Sequence, residues 1–208
     1  MPQAQIAKAG ARTPQQQRRD GTRRALLDAA VECLVEVGYA RTTTLEVQKR
    51  SKLSRGALLH HFPTKAELLA ATIVHLAEMR GRELKVHAVK LPKGPARIGA
   101  VLDLLWQSFT GPLFYVAMEL RAAARTDVEL RAALGASERV LHERIIEQYT
   151  FLFGSEVAAR PKFGCALDMT LQLMIGAAMS LLMHGEQEAR VDLLISQWKA
   201  LFPTLAGE

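Results

Sequence analysis

One stretch of this 208-residue chain, residues 42–65, carries side chains whose types and spacing fit contact with a polyanion. The candidate contact residues are Thr43, Thr44, Ser54, Arg55, Gly56, His60, His61 and Lys65. Hydroxyls and unpaired backbone amides at a helix N-terminus favour a phosphate group. An arginine such as Arg55 can donate two parallel hydrogen bonds to guanine, and small neighbours let the backbone approach the bases. Residues 42–65 therefore predict a DNA-binding site.

Two short helices must position these side chains. The threonines at 42–44 offer N-caps for a helix from Leu45 to about Ser51, and Ser54 offers a cap for a second helix ending near Phe62. Two such helices joined by a tight turn form a helix-turn-helix, whose second helix enters the major groove. The alternative interpretation is a capped helical hairpin with a solvated basic face.

The distribution of charge favours the DNA-binding interpretation. Residues 1–65 contain 12 basic and five acidic side chains, a net charge of +7, whereas residues 66–208 contain 15 and 16, a net charge of −1. A basic N-terminal third on a neutral body is typical of a polyanion-binding module attached to a second domain.

Several segments resemble the N-terminal signature of the TetR (tetracycline repressor) family. They are Leu26-Leu-Asp-Ala-Ala30, Val37-Gly-Tyr39, Thr42-Thr-Thr44 and Leu53-Ser-Arg-Gly-Ala-Leu-Leu-His-His-Phe-Pro-Thr-Lys65. The resemblance covers about residues 20–70. It implies a homodimeric, all-helical transcription factor whose three N-terminal helices bind operator DNA. It also implies a larger C-terminal domain that usually binds a small effector, which releases the DNA.

The resemblance also implies roles for individual residues. Thr43, Thr44 and Lys65 stand where the family contacts phosphate, and Arg55 and Gly56 stand at the base-reading start of the recognition helix. His60 and His61 match an aromatic-histidine pair that touches backbone or base.

Three positions depart from the family pattern. Leu59 replaces a common tyrosine, Gln48 replaces a small alanine, and Lys52 replaces a glycine in the turn. A non-glycine residue in a left-handed turn costs about 1 kcal/mol. These departures bear on the angle between the two helices and on the operator sequence.

The whole chain predicts an all-α fold of about nine helices, without strand alternation or an internal repeat. Residues 1–20 are expected to form a disordered basic arm, either a plain tail or an arm that follows a DNA groove. Residues 21–66 are expected to form the helix-turn-helix domain, and residues 67–208 a C-terminal ligand-binding and dimerisation domain.

Aromatic and methionine side chains cluster around a helix break at Gly111-Pro112 and recur on a later helix. The candidate ligand-binding residues are Trp106, Phe109, Phe114, Tyr115, Met118, Glu119, Met169, Gln172 and Leu173. Apolar walls with a few polar groups suit a small, largely apolar effector. The alternative is a filled core, since such stripes commonly serve packing.

The last two helices carry apolar stripes that suit a four-helix dimer interface across a two-fold axis. The candidate interface residues are Leu171, Ile175, Ala178, Leu182, Leu194 and Trp198. A homodimer would place two recognition helices about one DNA turn, roughly 34 Å, apart. The alternative is burial of these side chains within one subunit.

Other function classes find little support in the sequence. It contains no nucleophilic triad, phosphate-binding glycine loop, HExxH or metal-ligand spacing, so we expect no enzyme activity, no metal and no cofactor. Its two cysteines lie far apart in the sequence, which is not the pattern of a disulfide-rich secreted protein. Since no apolar segment is expected to reach the length that spans a bilayer, we expect a cytoplasmic protein. A sequence-specific repressor released by an effector is the first hypothesis. A DNA-binding regulator without an effector, or an activator, is the alternative.

Overall fold

The computed structural model describes residues 13–183 and 188–207, and within these residues every regular element is a helix. The helices are α1 (Pro14–Arg41), α2 (Thr44–Ser51), α3 (Arg55–His61), α4 (Lys65–Ala88), α5 (Ala96–Phe109), α6 (Pro112–Ala123), α7 (Val128–Phe153), α8 (Ser155–Ala158), α9 (Phe163–Met183) and α10 (Glu188–Ala206). The predicted all-α fold is confirmed. The described part of the chain has ten helices where about nine were predicted, and one of them, α8, is a single turn of four residues.

Helix α1 begins earlier than the sequence suggested. Thr13 and Gln16 form a reciprocal capping box, with Thr13 N donating to Gln16 Oε1 at 2.9 Å and Gln16 N donating to Thr13 Oγ1 at 3.2 Å, and Pro14 occupies the first turn. The predicted arm boundary at residue 20 is therefore wrong, because residues 14–20 are helical without any apolar periodicity. The rest of the predicted arm, residues 1–12, lies outside the described residues.

Helices α1 to α3 and the first turns of α4 form a small domain, called the head below. Its core consists of Leu26, Leu27, Ala29, Ala30, Cys33, Val47, Leu58, Phe62 and Leu68. Gly38 interrupts α1 with a φ of +72°, a conformation that glycine adopts without strain. The buried Thr42 then closes this helix by donating from Oγ1 to the Gly38 carbonyl at 2.7 Å.

The remaining helices, together with the rest of α4, form the body. Helix α4 runs from the head into the body and packs along α7, and α9 pairs with α10. The largest core cluster combines α5, α7, α9 and α10 around fully buried side chains such as Leu102, Leu152 and Phe202. A second cluster joins α1, α4, α6 and α7, so head and body share a continuous apolar contact.

Helix α9 is unusually apolar, with a mean hydropathy of 1.6 over its most apolar window. By length and composition alone it passes the test for a membrane-spanning helix, the one such helix among the described residues. The prediction that no apolar segment is long enough to span a bilayer is therefore wrong as far as length and composition go. A core helix of a soluble protein passes it too, and α9 buries Phe163, Leu167 and Met174 against its neighbours.

Candidate nucleic-acid interface and internal cavity

Local caps fix the geometry of the α2–turn–α3 unit. Thr43 Oγ1 accepts a hydrogen bond from Glu46 N at 3.1 Å, and Ser54 Oγ accepts one from Ala57 N at 3.1 Å. Because both hydroxyls accept, their own protons stay available to a phosphate. Lys52 in the turn has a φ of +58°, the left-handed conformation in which a side chain is strained. Arg50 ties α2 to α1 through ion pairs with Glu36 and Glu46.

Helix α3 presents nearly all of its surface to solvent. Leu58 is its one buried residue, 1% exposed, whereas Ser54, Arg55, Gly56 and His60 are exposed. Thr43 is also exposed, and Thr44, His61 and Lys65 are partly exposed. The structure thus leaves all eight predicted contact residues accessible around the α2–turn–α3 unit. Leu59, 43% exposed, is an apolar residue one turn after Arg55.

Sequence reasoning missed a contribution from α1 to this surface. Burial lowers the pKa of His61, and the positive charges of His60, Arg19 and Arg23 lower it further. Arg23 also stacks over the Phe62 ring, with its guanidinium carbon 5.4 Å from the ring centroid. The early start of α1 therefore adds arginines next to the end of α3. The capping pair Thr13–Gln16 was the sequence signal that could have revealed this.

Tyr39 is the centre of a polar contact between the head and the body. Its backbone N donates to Glu119 Oε1 at 2.8 Å, and its hydroxyl donates to Asp127 Oδ2 at 2.7 Å. The hydrogen bond to Asp127, together with burial, raises the pKa of Tyr39 to about 12. Lys65 Nζ lies 4.6 Å from the centroid of the Tyr39 ring, and burial lowers the pKa of Lys65. Glu119, one of the predicted ligand-binding residues, is exposed and borders the groove between α1, α6 and α9 as well as accepting this hydrogen bond.

The body has a partly open cavity of about 190 Å³ between α4, α5, α6, α7 and α9. Four of the predicted ligand-binding residues line it: Phe109, Phe114, Met118 and Gln172. Polar residues that no sequence pattern marked also line it from α4, α6 and α7: Arg80, Arg121, Glu138, His142 and Tyr149. Their positions follow from the packing of α4 against α7, which no local pattern reveals.

The other predicted ligand-binding residues lie elsewhere. Met169 is corrected to a surface residue, because it is 45% exposed and does not line this cavity. Trp106 is half-buried against the large core cluster. Tyr115 lines a separate surface groove between α1, α6 and α9, and Leu173 lines a groove between α9 and α10.

The structure divides the predicted dimer residues into three groups. Leu182 and Leu194 are 54% and 45% exposed, and thus available to a partner. Leu171 and Ile175 line the internal cavity instead. Two predictions are corrected: Ala178 is fully buried, and Trp198 is 7% exposed and donates from Nε1 to Thr170 Oγ1 at 3.0 Å, so both belong to the core of the subunit.

No group of three His, Cys, Asp or Glu residues suitable for a metal ion occurs among the described residues. Cys33 is buried, and burial raises the pKa of its thiol, whereas Cys165 is exposed.

Comparisons with known proteins agree on one family. Residues 26–72 match the model of the family described as bacterial regulatory proteins, tetR family. An uncharacterized HTH-type transcriptional regulator of Mycobacterium bovis is 31% identical over 165 residues, covering 79% of this chain and 85% of that protein. A TetR transcriptional regulator from Rhodococcus sp. RHA1 has a similar fold, with a TM-score of 0.64, 21% identity, and coverage of 89% and 96% of the two chains. The regulator FadR from Bacillus subtilis, solved in complex with stearoyl-CoA, superposes with a TM-score of 0.60 at 16% identity, covering 89% and 98% of the chains.

Proposed function

This chain belongs to the TetR family of bacterial regulatory proteins, and on that premise we propose that it is a sequence-specific repressor which a small, largely apolar effector releases from its operator. The observation that carries the DNA-binding part is the exposure of α3, which is anchored by Leu58 and presents its capped N-terminus to solvent. The cavity in the body supports the effector part. We place the protein in the cytoplasm, where its operator lies.

Each contact on the head has a distinct role in this proposal. Arg55 reads a guanine through two hydrogen bonds, and Leu59 packs against a thymine methyl group where a tyrosine is common in the family. Thr43, Thr44 and Lys65 bind phosphates and set the register of α3 without reading the sequence. Because Leu59 stands in place of that tyrosine, we expect this chain to prefer thymine at the base position that Leu59 contacts.

A homodimer is part of the proposal. Exposed leucines on the outer faces of the last two helices support it: Leu182, Leu193, Leu194 and Leu201, between 45% and 61% exposed. Such side chains lose contact with water when two copies of α9 and α10 pack as four helices. The pairing would hold two α3 helices roughly 34 Å apart on one face of the duplex.

Helix α6 provides a physical link between the cavity and the head. Phe114 and Met118 of this helix line the cavity, and Glu119, the next residue, accepts the hydrogen bond from Tyr39 N. An effector that binds better to a shifted position of α6 would shift the population of head orientations. Release of DNA requires this difference in affinity, because equal binding to both states changes nothing.

Selection of bound fragments from a genomic DNA pool tests the DNA-binding proposal. We expect Arg55→Ala to weaken binding to the recovered sequences by about 1–3 kcal/mol and to relax base preference. Lys65→Ala should weaken binding to every fragment alike and lower the dependence of affinity on salt. An unchanged sequence preference in Arg55→Ala would contradict the base-reading role.

A screen of small molecules against the protein bound to a recovered fragment tests the effector proposal. A compound that releases the DNA from the wild type should lose this effect in Ile145→Trp, which fills the cavity. Release that is unaffected by this substitution would place the effector elsewhere. Binding to fragments inside promoters, with increased transcription, would favour an activator.

A further inference from the structure

Two polar side chains on the wall of the body cavity, Tyr149 and Arg80, have hydrogen-bonding capacity that the described residues do not fill. Tyr149 is 5% exposed, lines the cavity, and forms no hydrogen bond through its hydroxyl within the described residues. Burial raises the pKa of Tyr149 and nearby Arg80 partly offsets this shift, so the phenol stays protonated and can donate. Buried hydroxyls are nearly always hydrogen-bonded, so this donor, which is accessible from the cavity, is available to an acceptor on a ligand.

Arg80 is the second of these side chains, and its hydrogen bonds involve one of its three nitrogens. Its Nη2 donates to Ser108 O and Ser108 Oγ, each at 2.6 Å, and its guanidinium carbon lies 5.4 Å from the centroid of the Phe109 ring. No carboxylate lies within ion-pair distance of Arg80 in the described part of the chain. These contacts fix the guanidinium plane and leave the remaining nitrogens available.

The other charged groups around the cavity do not neutralise Arg80. Arg121 and Glu138 pair with each other at 3.6 Å, and His142 is exposed. Glu83 lines the neighbouring groove that Arg80 also borders, but it forms no ion pair with it. A half-buried cation beside an apolar cavity without a counter-ion favours an anionic ligand, and guanidinium geometry matches a carboxylate.

The size and walls of the cavity restrict the rest of the ligand. A cavity of about 190 Å³ has room for one ring with small substituents. Phe109 and Phe114, whose ring centroids are 5.3 Å apart, offer aromatic surfaces against which such a ring packs.

We propose that the effector is a small aromatic carboxylate, with its carboxylate on Arg80 and the Tyr149 hydroxyl and its ring against Phe109 and Phe114. The proposal rests on the effector-binding function proposed above and names the class of compound. It assigns Arg80 to charge recognition and Tyr149 to orientation of the carboxylate.

Isothermal titration calorimetry of the full chain, without DNA, tests this class. The probes are 4-methylbenzoate, its neutral isostere 4-methylbenzamide, and octanoate, an aliphatic acid. We expect 4-methylbenzoate to bind at least tenfold more tightly than either of the others. Because a hydrogen bond to a charged group is lost, Arg80→Gln should weaken 4-methylbenzoate about 10- to 100-fold and leave the amide unchanged.

Matched variants separate recognition from general damage. Arg82→Gln removes an exposed arginine two residues away on α4 and should leave binding unchanged. Tyr149→Phe should weaken 4-methylbenzoate about three- to tenfold, whereas Tyr115→Phe, in a different groove, should not. If the circular-dichroism spectrum of Arg80→Gln shows that this variant is unfolded, two other results still test the proposed ligand class. They are the comparison of acid with amide on the wild type and the affinity of Tyr149→Phe.

Three results would overturn the proposal: equal affinity for acid and amide, tighter binding of octanoate than of 4-methylbenzoate, or binding of none of the probes. The experiment also separates the two proposals. If 4-methylbenzoate binds through Arg80 and the protein stays on its DNA fragment, the release function is wrong and the ligand class stands. If a compound of another class releases the DNA, the ligand class is wrong and the release function stands.

Discussion

The α2–turn–α3 surface of the head and the cavity of the body are built in opposite ways. The α2–turn–α3 surface comes from 23 consecutive positions, Thr43 to Lys65, with local caps and with contact side chains that are exposed or partly exposed, and arginines of α1 adjoin it. The cavity draws its walls from five helices, and within the described residues Arg80 on its wall has no carboxylate partner and the Tyr149 hydroxyl has no hydrogen-bond partner. A surface made by local structure can be recognised in a motif, whereas a cavity depends on how distant helices pack.

The largest expected effect on the free energy of unfolding comes from Leu58, which anchors α3 in the core of the head. Leu58 is 1% exposed in the head core, and its neighbour Leu59 is 43% exposed. Leu58→Ala should lower the free energy of unfolding by about 2–5 kcal/mol, because it removes buried methyl groups and leaves a cavity. Leu59→Ala should change it by less than about 0.5 kcal/mol while weakening DNA binding. Urea unfolding of both variants checks the pair, and similar destabilisation by the two would contradict the orientation of α3.

Filling the cavity provides the matching test for the body. Ala117 lines the cavity, and Ala178 is fully buried in the packed core. Ala178→Leu should cost about 1–3 kcal/mol through overpacking. Ala117→Leu should change stability by less than about 1 kcal/mol, because its added atoms enter empty space. Thermal unfolding measures both, and an equal loss would mean that the space beside Ala117 is not open.

The two regions also explain how much the sequence alone could predict. Helix boundaries at Thr43, Ser54 and Thr64 were predictable because a hydroxyl accepting from an amide three residues later is a local device. The aromatic walls Phe109 and Phe114 were also found, since they flank one helix break. Arg80 and Tyr149 were not, because 69 positions separate them and only the packing of α4 on α7 brings them to one cavity.

The same reason accounts for the dimer predictions. Apolar periodicity marks every buried side of a helix and does not say which neighbour covers it. Trp198 and Leu194 are both apolar residues of α10, yet Trp198 bonds to Thr170 inside the subunit and Leu194 faces solvent. Only the packing of α10 on α9 distinguishes a core residue from a candidate interface residue.

The pKa of His61 gives the head a dependence on pH that the cavity proposal does not require. Burial and the nearby positive charges hold this pKa below its usual 6.5 in the DNA-free protein, and a DNA phosphate would raise it. Binding then takes up a proton, so affinity should rise as the pH falls through the range below about 7, by at most about tenfold per pH unit. Fluorescence anisotropy on a recovered fragment, at constant ionic strength, measures this slope.

Two controls sharpen the result for His61. His61→Gln should flatten the pH dependence of DNA binding, and retention of the full slope would assign the proton to another group. In the DNA-free protein the pH dependence of stability has the opposite sign to that of DNA affinity. Because the folded-state pKa is depressed, the contribution of His61 to stability is present above the unfolded-state pKa and is lost as the pH falls through the folded-state pKa.

The smallest expected effect concerns the turn between α2 and α3. Lys52 has a φ of +58°, and an L-residue with a side chain is strained in that conformation. Lys52→Gly relieves this strain but gives the unfolded chain more conformational freedom, so the net gain in the free energy of unfolding should be about 0.5 kcal/mol. Lys49→Gly, inside α2, should lose about 1 kcal/mol because no strain is relieved there. Urea unfolding should therefore give opposite signs for two lysines three positions apart, and destabilisation by both would mean that the turn at Lys52 is unstrained.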